Sequence, residues 1–246
     1  MTSTRVRPHV IRVMEHTRAV LFPFDGTLCD LFADVDTTAI AERIRARLFD
    51  QGHRMSLLTS TSTDPLGMLA YAHNVSWAYG TEAEEIVRDA EMAAAKTATP
   101  TPGAHEVLRA CQVGGRPVAV VGDTCRAAME SYLDAHGLRH LVGPIIGREQ
   151  RRPSSREPVG TALIRQAVKA LGAKPSDCAL VSLSPQGMFA AKDAGTQAIG
   201  VVSKHAKRKR LAVTDGSVVI SSLPQLADAL TAVPAAETFD APPDQL

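Results

Sequence analysis

The sequence predicts an α/β protein, a doubly wound and mostly parallel sheet with helices on both faces and a helical segment inserted into it. Three observations predict it. Short apolar, β-rich runs recur along the chain. Most are separated by stretches of helical periodicity. One connection, from Leu28 to Pro117, is too long for a simple crossover.

The elements follow in order. Strands are expected at 19–22, 117–121, 141–146, 178–183, 198–202 and 218–220, where β-branched and aliphatic residues cluster. A helix is expected over 161–171, with Ala162, Leu163, Ala167, Val168, Ala170 and Leu171 largely on one face and Gly172 stopping it. Another follows the second strand, over 127–138. Within the long connection, helical patterns fall at 38–51, 65–73 and 82–96, and Thr97-Ala98-Thr99-Pro100-Thr101-Pro102-Gly103 is the most linker-like stretch. The resulting organisation is a core of 1–35 and 98–233, a helical cap of 36–97, and a Pro-, Ala- and acid-rich tail of 234–246 expected to be disordered.

Bulk properties narrow the function classes. The chain has 246 residues, 45% hydrophobic and 22% charged, with a net charge of +1. A soluble protein with no global field toward nucleic acid or membrane is expected. The four cysteines have no CxxC spacing, which disfavours a zinc site or a disulfide framework and suits a reducing cytosol. The polar, basic N-terminus lacks the continuous apolar region of a secretory signal, and no run is long enough to span a bilayer, so a cytoplasmic location is expected.

Motifs sit at the strand ends, where ligands bind in such sheets. Ala19-Val20-Leu21-Phe22-Pro23-Phe24-Asp25-Gly26-Thr27-Leu28 reads as a buried strand running into a tight turn. It closely resembles the first motif of the haloacid dehalogenase-like (HAD) hydrolases, hydrophobics followed by Asp-x-Asp-Gly-Thr-Leu. The similarity extends over about 18–230 and is of the phosphoglycolate phosphatase-like, actinobacterial type. It implies a Rossmann-like core with an α-helical cap and, in an ordinary member, magnesium-dependent phosphoryl transfer.

Four motif positions depart from that pattern. Pro23 stands where the resemblance places a nucleophilic aspartate, and proline offers no oxygen to attack phosphorus. Asp25 matches the second aspartate, a general acid/base; the residues equally allow a turn-capping carboxylate. In the second motif, Val118-Ala119-Val120-Val121-Gly122-Asp123-Thr124, the hydroxyl position is Gly122 and Thr124 is displaced by two. The third motif falls in 151–158, which has no lysine; Arg156 or Arg152 stands nearby, and arginine binds phosphate competently. In the fourth, Val181-Ser182-Leu183-Ser184-Pro185-Gln186-Gly187, both magnesium carboxylates are replaced, by Leu183 and Gly187.

Loss of groups serving separate steps of one reaction implies abandoned chemistry. The expectation is a catalytically degenerate family member with no cofactor and no magnesium site. It would bind a small molecule or a protein through a cleft formed by Pro23, Gly26, Thr27, Gly122, Thr124, Arg156, Leu183 and Ser184. The alternatives are repurposed, magnesium-independent chemistry using Asp25 or Asp123 as acid/base, with Cys125 as a candidate low-pKa thiol at a helix start, or residual hydrolysis. The run Lys204-His205-Ala206-Lys207-Arg208-Lys209-Arg210 raises nucleic-acid binding, which the near-neutral charge disfavours. Monomer and homodimer remain equally open.

Overall fold

The computed structural model describes residues 8–148, 159–203, 207–212 and 217–235. In chain order, α1 (Pro8–His16) leads to β1 (Ala19–Pro23) and the two-residue β2 (Cys29–Asp30). Next come α2 (Thr37–Asp50), α3 (Leu57–Ser60), α4 (Pro65–Val75), α5 (Trp77–Ala94) and β3 (Thr99–Pro100). Then follow α6 (Ala104–Val113), β4 (Val118–Val121), α7 (Arg126–Ala135), β5 (Ile145–Ile146) and α8 (Val159–Ala170). The chain continues through β6 (Cys178–Ser182), α9 (Pro185–Ala194), β7 (Gln197–Val201), α10 (Arg208–Leu211), β8 (Val218–Ile220) and α11 (Leu223–Ala232). It divides into two compact units, one of Met1–Asp30 with Thr99–Leu246, the other Leu31–Ala98.

The first unit is a Rossmann-like α/β core. Its sheet has six strands in the order β5-β4-β1-β6-β7-β8, all pairs parallel. Alternate residues face opposite sides. Ala19 and Leu21 of β1, Ala119 and Val121 of β4, and Cys178 and Leu180 of β6 form one core with α8 and α9. Val20, Phe22, Val120 and Val181, of opposite parity, are equally buried, and α1, α6 and α11 pack on or beside β4 and β8. Burial on both faces explains why these strands read as unbroken apolar runs.

Arg116 staples this unit together. Its side chain is 2% exposed and donates to the carbonyls of Thr17 (2.9 Å), Met14 (3.0 Å) and Leu230 (3.4 Å), joining α1, β4 and α11. Burial holds its pKa below the ordinary arginine value.

Two expectations need correction. The strand expected over 141–146 is only Ile145–Ile146, because Arg139–Leu141 forms a 3-10 turn and Pro144 has no N–H to extend the ladder. The helix expected from 82 starts at Trp77, capped by Ser76 Oγ accepting from the Tyr79 amide at 3.2 Å.

The second unit is a helical bundle. Ile40, Ile44 and Leu48 of α2 meet Met68, Leu69 and Ala72 of α4 and Ala83 and Val87 of α5 in a separate core. Arg47 and Glu82 pair across α2 and α5 at 2.6 Å. The expected cap range of 36–97 falls inside this unit, and residues 236–246 of the expected tail lie outside the described residues. No helix among the described residues is long and apolar enough to cross a membrane.

Candidate functional site

The site is built where β1 ends. Val20 and Phe24 donate their amides to Pro117 and Val121, on the β4 side. The intervening N–H at position 23 would therefore face β6. Pro23 has none, and the β1–β6 pairing stops at Leu21↔Leu180. Beyond Pro23 the chain turns. Leu28 and Cys29 both donate to the Phe24 carbonyl, at 3.0 and 3.2 Å, and the Gly26 amide donates to the Cys29 carbonyl at 2.8 Å. Gly26 has φ +73° with nothing crowding it, so the left-handed backbone is what requires glycine there.

β6 ends beside this turn. Ser182 is 2% exposed, and its Oγ accepts from the Ser184 amide at 3.1 Å and donates to the Ser184 carbonyl at 3.3 Å. Ser184 is the N-cap of α9, its Oγ accepting from the Gly187 amide at 3.1 Å. This packing closes position 187. A Cβ there would sit 2.2 Å from Ser182 Oγ and 2.8 Å from its Cβ. Gly122, at the end of β4, differs. A Cβ there would meet Phe24 Cβ at 3.4 Å, an ordinary contact.

A cleft of about 710 Å³ opens over these strand ends within the α/β unit. Its lining takes in Pro23, Asp25, Gly26, Thr27, Leu183 and Ser184 from the motifs. It also takes in Cys29 and Asp30, Thr99 to Pro102, Val201 to Ser203 after β7, and Ser221 to Leu223 after β8. Those last groups escaped the motif reading. A signal existed: residues just past 198–202 and 218–220 lie at strand ends, where a parallel sheet binds its ligands.

Gly122, Asp123 and Thr124 do not line the cleft, which lies toward β7 and β8 rather than β4. Thr124 is 4% exposed. Its carbonyl accepts from the Arg148 amide at 3.0 Å, and the Asp123 carbonyl accepts from Arg148 Nη1 at 2.7 Å. The buried ring of Phe24 stacks edge-on against Tyr132 alongside, with centroids 5.3 Å apart. Arg156 and the rest of 151–158 lie outside the described residues, as do Lys204, His205 and Ala206.

The electrostatics of the lining are one-sided. Asp25 and Asp30 are the only acidic residues in the lining, and among the described residues no lysine, arginine or histidine joins them. Burial, and then Asp25 and Asp30, push the Cys29 thiol far above its ordinary range. Cys125 is the N-cap of α7 but is wholly buried. Among the described residues no group of three or more His, Cys, Asp or Glu is placed to hold a metal ion.

Comparison with known proteins places this geometry. The family described as "Haloacid dehalogenase-like hydrolase" matches residues 20–201. The chain is 25% identical to the phosphoglycolate phosphatase of Neisseria meningitidis over 227 residues, 87% of this chain and 93% of that one. It is 32% identical to the bifunctional riboflavin kinase/FMN phosphatase of Arabidopsis thaliana over 103 residues, 42% of this chain and only 26% of the plant protein. Among solved structures, a hydrolase from Pseudomonas syringae superposes with TM-score 0.62 at 16% identity, covering 89% of this chain and all of that one. A HAD family hydrolase from Deinococcus radiodurans with bound phosphate and sodium superposes with TM-score 0.55 at 24% identity, covering 89% and 97%.

Proposed function

Since the chain belongs to the haloacid dehalogenase-like hydrolases, we propose that it is a member that binds a ligand in the strand-end cleft without carrying out magnesium-dependent phosphoryl transfer. The observation that carries this is Pro23. It ends β1 and lines the cleft where the family resemblance places the attacking carboxylate. No oxygen at that backbone site means no covalent phospho-intermediate.

The donor set supports the same reading. Magnesium requires hard oxygen ligands in near-octahedral array, usually including carboxylates. Of the carboxylate positions implied by the resemblance, Asp25 alone keeps one. Pro23, Leu183 and Gly187 offer no side-chain oxygen, and Ser182 Oγ occupies the space a side chain at 187 would need. These residues do not fit the ion.

The helical unit, Leu31–Ala98, takes the part of the family's cap in this reading, and the buried thiols suit a cytoplasmic setting. One observation favours a second reading: Asp25 lines the cleft, where a carboxylate can act as acid or base without a metal. Asp123 stands off the cleft and Cys125 is buried, so neither supports it.

The test is hydrolysis of p-nitrophenyl phosphate and a panel of phosphorylated metabolites with magnesium. No turnover above an Asp25→Ala control is expected. Turnover that this substitution abolishes would overturn the proposal.

A further inference from the structure

We infer that the helical unit, Leu31–Ala98, pairs antiparallel with a second copy of itself through the outer face of α2 and the segment that carries α3. The inference starts from apolar side chains that the subunit leaves uncovered. Phe49 is 71% exposed, Leu57 81% and Leu58 84%. All three fall between positions 49 and 58, and they are half of the six large hydrophobics exposed among the described residues. α3 buries no residue at all. A helix that adds nothing to its own core, yet holds two leucines outward, marks a contact surface.

A groove of about 660 Å³ runs along this face. Ala46 and Phe49 of α2 line it, with Met55 and Ser60 from either side of the two leucines in sequence. Ile40, Ile44 and Leu48 bury the opposite face of α2. The charged lining residues are Glu42, Arg45, Asp50 and Arg54, and among the described residues none of the four is in an ion pair. Their order selects a second copy as the occupant. Arg45 and Asp50 flank a point just before Leu48, and Glu42 and Arg54 flank Leu48 at equal separations, so the two opposite-charge pairs nearly share a midpoint. A two-fold axis at that midpoint sets Arg45 against the partner's Asp50 and Glu42 against the partner's Arg54, and the reverse. A two-fold contact requires such a self-complementary patch.

Arg45 is already held for this role. Its Nη2 donates to the Ser62 carbonyl at 2.6 Å, and its Nε is buried with no hydrogen-bond partner. A guanidinium fixed in place with an unmet donor lacks a carboxylate, and the partner's Asp50 supplies one at little further cost in side-chain freedom. Each Phe49 enters the partner's groove beside Ala46, whose small side chain leaves room for the ring.

Light scattering from the full chain at about 100 µM tests this, a concentration above the micromolar range of a small, transient interface. The mass should be twice the 26.2 kDa of one chain. Phe49→Asp and Asp50→Arg, both at exposed positions, should each weaken association about tenfold or more. Glu42→Arg and Arg54→Glu should each weaken it about threefold, and the two combined should restore it, because the swap regenerates both outer pairs. Far-UV circular dichroism of each variant should stay native, which separates lost association from lost fold. A monomer at this concentration, a dimer that Phe49→Asp and Asp50→Arg leave intact, or a double swap no better than its single variants overturns the inference. A monomer that uses this face for a different protein overturns it as well.

Discussion

Two glycines that look equivalent in the sequence behave differently in the structure. Gly122 and Gly187 both stand where the family resemblance expects a polar side chain. At Gly122 the added carbon makes ordinary contacts, so Gly122→Ser should cost well under about 1 kcal/mol. At Gly187 the added carbon collides with the Ser182 hydroxyl, so Gly187→Asp should destabilise by about 2 kcal/mol through overpacking. Denaturant midpoints of the two variants check the contrast, and equal midpoints would refute it. The motif spacing identified both positions, but only coordinates show which one has room. That difference lies in a side chain five residues away, on the preceding strand, and no pattern in the sequence encodes its rotamer.

At the scale of elements, strands were easier to read than helix starts. β1, β4, β6, β7 and β8 are buried on both faces, so each appears as a compact apolar run. α1 is harder to read because it is only nine residues long, although Val10, Val13 and Met14 fall at helical spacing. α6 follows a Pro- and Gly-rich stretch that reads as loop. The start of α5 was obscured by Gly80, an ordinary helix breaker with a specific reason to be there. A Cβ on it would lie 2.0 Å from Nδ1 and 2.5 Å from Cγ of His73 on α4. Glycine to alanine inside a helix normally gains about 1 kcal/mol. Here Gly80→Ala should gain nothing or lose stability, and the gain should return in a His73→Ala background. A double-mutant cycle measures that coupling, and strict additivity would show that the ring moves aside freely.

For the whole molecule, protons held by the folded state set the behaviour at alkaline pH. Burial pushes the Cys111 and Cys178 thiols from an ordinary 9.0 up to about 12, and Cys29 and Tyr132 shift the same way. A folded pKa above the unfolded one means the folded chain binds more protons between them. Stability is therefore complete below pH 9.0 and falls as pH rises toward about 12. Urea midpoints measured across this window should decline, and Cys111→Ala with Cys178→Ala should flatten the decline; a flat profile in the unmodified protein would contradict it. The fold and the β1 and β6 ends of the cleft were legible because local patterns fix them. The β7 and β8 side was not, because Ser203, Ser221 and Ser222 meet only through strand order. The packing around Ser182 also bears on how sequences can change. A carboxylate at 187 forces Ser182 to shift, yet Ser182 Oγ is what holds the Ser184 amide at the start of α9. A step toward a metal-binding loop at 187 therefore weakens the cap of α9 as it adds an oxygen ligand. Single-step selection for activity would meet a stability barrier at this strand end, whatever is done at Pro23.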